Sequence, residues 1–189
     1  MSSSDMSMGN AAAGQQKPQA EPVIREARRE DWERIAELTV TAYVSGGFLS
    51  SGDDYIAQLA DVGPRATHAT VLVAEVEDES GSPVVAASVS ITEAGKFLAE
   101  VSRPGEMEFR MLAVHPDFQG RGIARRLVRH ILAMAEARPD IEAVTLCSLK
   151  TMTDAHTLYR SEGFVEVPER DFRLEESGAS FPFFIRSIR

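Results

Sequence analysis

A single cysteine, Cys147, excludes any intrachain disulfide, so packing alone must hold the fold. It sits in an apolar run, Ile141 to Leu149, where a thiol behaves as a small hydrophobe. A catalytic thiol needs a cationic, part-exposed setting that this run does not offer. Basic residues are scarce as well: 20 Lys and Arg stand against 29 Asp and Glu, for a formal charge of −9. That balance excludes the basic footprint of a sequence-independent nucleic-acid binder. A weakly acidic field attracts amines, or simply keeps the protein soluble. No apolar run is long enough to span a bilayer, and the N-terminus lacks the basic-then-apolar order of a secretory signal. A cytoplasmic protein without a membrane partner is therefore expected. The four histidines have no partner spacing that makes a ligand set, so no metal is expected.

What remains is enough for one core. With 43% hydrophobic and 26% charged residues, 189 residues fit a single domain, placed at 22–189. Residues 1–21, made of Ser, Gly, Ala, Gln and Met, are expected to be a disordered tail because they have almost nothing to bury. Val23 to Ala27 reads as a strand. Asp31 reads as the cap of a helix carrying Trp32, Ile35, Leu38 and Ala42 at helical spacing. A shorter helix from Asp53 or Asp54 presents Tyr55, Ile56, Leu59 and Val62 and closes at Gly63-Pro64. Ala69–Val76 and Pro83–Thr92 form a hairpin over a polar turn, and a loop from Glu93 to Gly105 follows. Next come a strand at 106–114, a helix from Gly120 to about Ala137, a strand from Ala143 to Leu149 and a helix from Thr153 to Ser161. Phe164–Val167 and Phe181–Ile188 read as closing strands around a loop, Pro168–Ser180. This order predicts an α/β (α+β) fold: a mixed sheet with helices on both faces.

The stretch from Glu106 to Arg125 carries the chemistry. Alternation puts Met107, Phe109, Met111 and Ala113 on a core face. Glu106, Glu108, Arg110, Leu112 and Val114 fall on the other, where three charges point to a cleft. Gly120 and Gly122 then fall where the strand phase ends and the helical phase begins, so backbone N–H groups and a helix N-terminus converge on an anion. Arg121, Arg125 and Arg129 follow at every fourth position, and residues 119–138 carry a net charge of +4 on an acidic chain. A phosphate-rich ligand fits. A triphosphatase loop would need Gly-Lys-Ser/Thr, which Gly122-Ile123-Ala124 does not supply. A dinucleotide fingerprint would need a third glycine and an early βαβ unit.

Gln119-x-x-Gly122-x-Ala124, after Leu112-Ala113-Val114-His115-Pro116, resembles the acyl-CoA-binding motif of the GNAT acetyltransferase superfamily. Ala155-His156-Thr157-Leu158-Tyr159-Arg160-Ser161-Glu162-Gly163-Phe164 resembles the family's second block, Ala-x-x-Leu-Tyr-x-x-x-Gly-Phe. The two stand at the family's usual separation. The resemblance implies a mostly antiparallel central sheet, splayed to hold CoA, and transfer of an acetyl group from acetyl-CoA to a primary amine in a ternary complex. It implies that Leu112, Ala113 and Val114 meet the pantetheine arm. Gln119, Gly120, Arg121, Gly122, Ile123, Ala124 and Arg125 would hold the pyrophosphate, and a main-chain N–H near Leu112 would polarise the thioester. Tyr159 stands where the family often keeps an acid for the departing thiolate. Glu108 stands where several members hold the base.

An amine is mostly protonated at neutral pH, so a carboxylate that takes its proton is useful. Glu106, on the same face, is the alternative base, and Arg110 is free to hold a substrate carboxylate instead. Met152 departs from the family's asparagine on the pantetheine arm. A non-catalytic acyl-CoA-binding or regulatory module of the same fold is the competing reading, and transfer of a longer acyl group or to an oxygen is a third. The acceptor, a small molecule or a peptide amine, is not readable, and homodimerisation stays open.

Overall fold

The computed structural model describes residues 21–174 and 180–189. The expected tail up to residue 20, and 175–179 of the expected loop, lie outside the described residues.

Strands β1 (Val23–Glu26), β2 (Thr70–Glu77), β3 (Pro83–Glu93), β4 (Glu106–Val114), β5 (Ala143–Cys147), β6 (Val165–Glu166) and β9 (Phe183–Ser187) build one sheet in the order β1-β2-β3-β4-β5-β9-β6. The strands β7 (Phe172–Arg173) and β8 (Ser180–Phe181) pair separately. Pro182 divides the expected closing strand, since it has no N–H for a ladder. Every neighbouring pair in the large sheet is antiparallel except β4 and β5.

Two helical layers cover the sheet. On one face lies α1 (Trp32–Ser45), whose Ile35, Leu38 and Ala42 pack with Val71, Val73, Val85 and Ala113. On the other lie α4 (Ile123–Glu136) and α5 (Thr153–Ser161), which close over Leu72, Phe109, Val144, Leu146 and Phe184. Ile123, Leu127, Val128, Ile131 and Leu132 form the buried stripe of α4 at the spacing its sequence predicts. Asp31 is turned away from α1: its carboxylate accepts the Arg28 N–H at 2.7 Å and pairs with Arg25 at 2.7 Å. The expected second helix is two helices, α2 (Tyr55–Ala60) and α3 (Val62–His68), broken at Asp61. Gly63-Pro64 therefore opens a helix instead of closing one. Proline suits a first turn because the N–H it lacks has no helical partner there.

Two features shape the middle of the sheet. Parallel pairing of β4 with β5 stops after Glu106↔Ala143, Met107↔Val144 and Glu108↔Thr145, so the strands part beyond Glu108. In the same half of β4, Ser90↔Arg110 is followed by Ser88↔Ala113, so two residues of β4 face one of β3. Met111 takes a φ of +54° at this β-bulge, a conformation that costs a non-glycine residue roughly 1–2 kcal/mol. The bulge resets the alternation. Leu112 and Val114 join the cluster of Met107 and Phe109, while Ala113 crosses to the α1 side. Strict alternation through 106–114 is thus corrected at Met111.

Candidate active site

The turn between β4 and α4 is built from local backbone. His115 Nδ1 accepts the Asp117 N–H at 3.3 Å, and Gln119 Nε2 donates to the Val114 carbonyl at 3.1 Å. Gly120 and Gly122 both have φ of +74°, and a Cβ at either would meet nothing within 4 Å. The glycines are required by backbone conformation, not by space. Gly122 is also the N-cap of α4 and supplies no side-chain acceptor, so the amides of its first turn lack intrahelical partners. They add to the positive end of the helix dipole. This turn, with Val114, Phe118, Gln119, Ile123, Ala124 and Arg125, faces Asp154 and Leu158 of α5 across a groove of about 310 Å³.

Arg121 does not line that groove: it donates to the Asp117 carbonyl at 3.0 Å and lies 5.0 Å over the Phe118 ring. Leu112 and Ala113 do not line it either, being divided between the two faces of the sheet by the bulge. The arginine stripe is not an unpaired basic face. Arg125 and Arg129 both pair with Glu162 at the end of α5, and Arg125 also donates to the Ser161 hydroxyl at 2.9 Å. The Arg129 guanidinium, then that of Arg125, holds the Glu162 carboxyl below its usual range. No local spacing announces a partner 33 or 37 positions away.

At the other end of the opening, Glu108 is 1% exposed. Its Oε2 accepts the N–H groups of Glu100, Val101 and Ser102 at 3.1, 3.1 and 3.0 Å and the Ser102 hydroxyl at 2.9 Å. Oε1 is less engaged, with the Glu100 N–H at 3.4 Å and Arg110 Nε at 3.9 Å. Glu108 thus anchors the loop that precedes β4. Glu106 is taken: Arg170 grips it at 2.6 and 2.7 Å, and the Arg103 N–H adds a third bond at 2.8 Å. That geometry removes it as the alternative base. Arg110 donates to the Leu98 carbonyl at 2.8 Å and pairs with Glu100 at 2.8 Å.

Tyr159 rises from α5 through an aromatic cluster, with ring centroids 5.8 Å from Phe109, 6.0 Å from Phe164 and 5.6 Å from Phe184. Burial pushes its hydroxyl well above the ordinary tyrosine range, so it stays protonated. It has no hydrogen-bond partner among the described residues. It belongs to the cluster on the α4 and α5 side of the sheet, whereas Tyr43 of α1 packs on the other side. Cys147, at the end of β5, has a thiol pushed up to about 12, mainly by burial, and is a neutral, unreactive group. Sequence reasoning missed Arg65 of α3, whose Nη1 lies 3.2 Å from Met111 Sδ at the bulge, and Tyr43 and Tyr55 of α1 and α2. Their signal was the mixed aromatic and basic content of helices otherwise read for apolar spacing alone.

A family model described as an acetyltransferase (GNAT) domain matches residues 67–166. The N-alpha-acetyltransferase RimI of Mycobacterium tuberculosis is 40% identical over 77 residues, 40% of this chain and 46% of the relative. The chain therefore matches about half the length of that curated relative. Among solved structures, a GNAT-family acetyltransferase from Staphylococcus aureus superposes with a TM-score of 0.66 at 12% identity, over 89% of this chain and 99% of that one. The putative acetyltransferase yncA from Salmonella typhimurium, solved with acetyl-CoA, superposes with a TM-score of 0.60 at 21% identity, over 90% and 95% of the two chains. At such identities these two speak for the fold. The domain model spans more than half the sequence, both motif blocks fall within it, and the chain belongs to the GNAT family of acetyltransferases.

Proposed function

We propose that residues 22–189 form one domain that transfers an acetyl group from acetyl-CoA to a primary amine by direct attack. The observation that carries this reading is the run of free amides at the Gly120–Gly122 turn, opening on a groove that lies beside the parting of β4 and β5. The turn fits a pyrophosphate: its donors are main-chain N–H groups backed by a helix dipole, and Arg125 stands at its edge. Beyond Glu108 the β5-facing edge of β4 is unpaired, which leaves Leu112 and Val114 main-chain groups for an extended pantetheine arm lying like an added strand.

The acceptor nitrogen attacks the thioester carbonyl carbon, the C–N bond forms and the C–S bond breaks. The departing thiolate takes the Tyr159 proton. The amine's own proton leaves through water toward Glu108 Oε1; on β5, Thr145, paired with Glu108 in register, has a buried hydroxyl with no partner among the described residues. The curated relative's name, an N-alpha-acetyltransferase, supports an amine acceptor. No described helix is long and apolar enough to cross a membrane, in keeping with a cytoplasmic enzyme.

Calorimetric titration with acetyl-CoA is expected to show one site per chain, and no heat at millimolar ligand would overturn the reading. Binding without thiol release across a broad amine panel would leave the non-catalytic module instead. Gly122→Ala is expected to weaken acetyl-CoA several-fold. Alanine at a φ of +74° costs roughly 1–2 kcal/mol, which the chain relieves by turning the first amides of α4 away from the groove. A variant that binds as tightly as the wild type would show that these amides do not hold the ligand.

A further inference from the structure

Arg65 of α3 is 2% exposed and has no carboxylate within 4.0 Å among the described residues. Arg25, Arg110 and Arg170, which are more exposed than Arg65, each pair with one. Arg65 Nη1 donates to the Gln58 carbonyl at 3.2 Å and lies 3.2 Å from Met111 Sδ, while Nε has no partner. Burial works against its charge, the Tyr55 and Tyr43 phenols nearby are kept neutral by their own burial, and Asp61 is exposed and beyond ion-pair reach. A buried guanidinium with an idle donor and neutral neighbours is a cost that folding alone does not justify.

The position of this cation gives it a use. Met111, which it touches, is the bulged residue of β4, next to the main chain at Leu112 where the transfer reading places the thioester. An anion held by Arg65 therefore lies within a few atoms of the attacking nitrogen. Arg110 is not available for that task, because the Glu100 carboxylate and the Leu98 carbonyl already occupy it. An enclosed guanidinium admits a small terminal group and not the side of a large partner. We infer that Arg65 binds the carboxylate of a compact acceptor, an α-amino acid presenting its free amine, and so selects which amines this site takes. The amine half of this statement rests on the acetyl-transfer reading; the carboxylate half rests on Arg65.

The test is calorimetry on the full chain loaded with CoA, using L-amino acids each paired with its α-carboxamide. The wild type is expected to bind the acids at least about tenfold more tightly than the amides. Arg65→Met is expected to bring that ratio close to one, to leave acetyl-CoA affinity unchanged, and to keep or raise the melting temperature, since it removes an uncompensated buried charge. Arg65→Lys keeps the charge and is expected to restore part of the preference. If Arg65→Met does not fold, Arg65→Gln reads the same ratio. Equal binding of acids and amides by the wild type overturns the inference. So does the absence of saturable binding of either at about 10 mM, or a ratio that survives the loss of the guanidinium. Acids preferred through Arg65 but never acetylated would overturn the transfer reading while leaving the carboxylate site standing.

Discussion

Tyr159→Phe is expected to lower turnover about 100-fold, the usual worth of a positioned general acid, while leaving the fold intact. The ring carries the packing: it meets Phe109 and Phe184 edge-on and Phe164 at a tilt, and phenylalanine keeps all three contacts. The hydroxyl carries none of it, having no hydrogen-bond partner among the described residues, so the melting temperature should move by no more than about 2 °C. Tyr159→Ala would be uninformative, because truncating a buried aromatic costs roughly 3–5 kcal/mol and disturbs the site as a whole. Burial holds the wild-type hydroxyl protonated throughout the working range, so the loss should be uniform with pH from about 6 to 9. Steady-state turnover of Tyr159→Phe, followed by thiol release with a responsive amine, decides the matter. Full activity would mean that solvent protonates the leaving thiolate. A large loss of stability would mean that the hydroxyl has a structural partner.

Legibility in the sequence followed the range of the interactions involved. The α4 stripe, the Gly120–Gly122 turn and the limits of α5 depend on spacing within a few residues, and all three appear where the spacing puts them. The bulge at Met111 could not be read that way. Its phase slip arises between strands, where β4 outgrows β3 by one residue, and nothing in Arg110-Met111-Leu112 announces it. The break at Asp61 was missed for a different reason. Gly63-Pro64 is a stop signal after a helix and equally a start signal within a first turn, and only packing of Val62 against the α1 cluster decides between them. Long-range ion pairs were invisible altogether. Glu162 answers the arginine stripe from the far end of α5, Arg170 claims Glu106 from beyond β6, and both pairings change what those residues are free to do.

Glu108 is the residue on which this matters most, and Glu108→Gln is expected to lose about 2–3 kcal/mol of unfolding free energy. For a chain of this length that corresponds to a fall of roughly 4–12 °C in melting temperature. Four donors converge on Oε2, and one of them, the Glu100 N–H, also faces Oε1 together with Arg110 Nε, so the pocket is made for an acceptor at both oxygens. A glutamine satisfies the Oε2 side with its carbonyl but turns an NH₂ toward the Glu100 N–H and Arg110, donor against donor. Glu108→Ala removes both acceptors, strands three part-buried amides and should cost roughly 3–5 kcal/mol. Ser102→Ala takes away a single hydroxyl bond and should cost only about 1 kcal/mol, which calibrates the series. Denaturant unfolding measures all three, and acetyl-CoA affinity should be retained in Glu108→Gln because the glycine turn is built without that carboxylate. The two roles of Glu108 separate on these readouts. Loss of turnover with full stability makes it a base that anchors nothing. Loss of stability with turnover kept in the folded fraction makes it an anchor alone. The geometry predicts both losses together, because one oxygen holds the loop and the other is left only long contacts, at 3.4 and 3.9 Å.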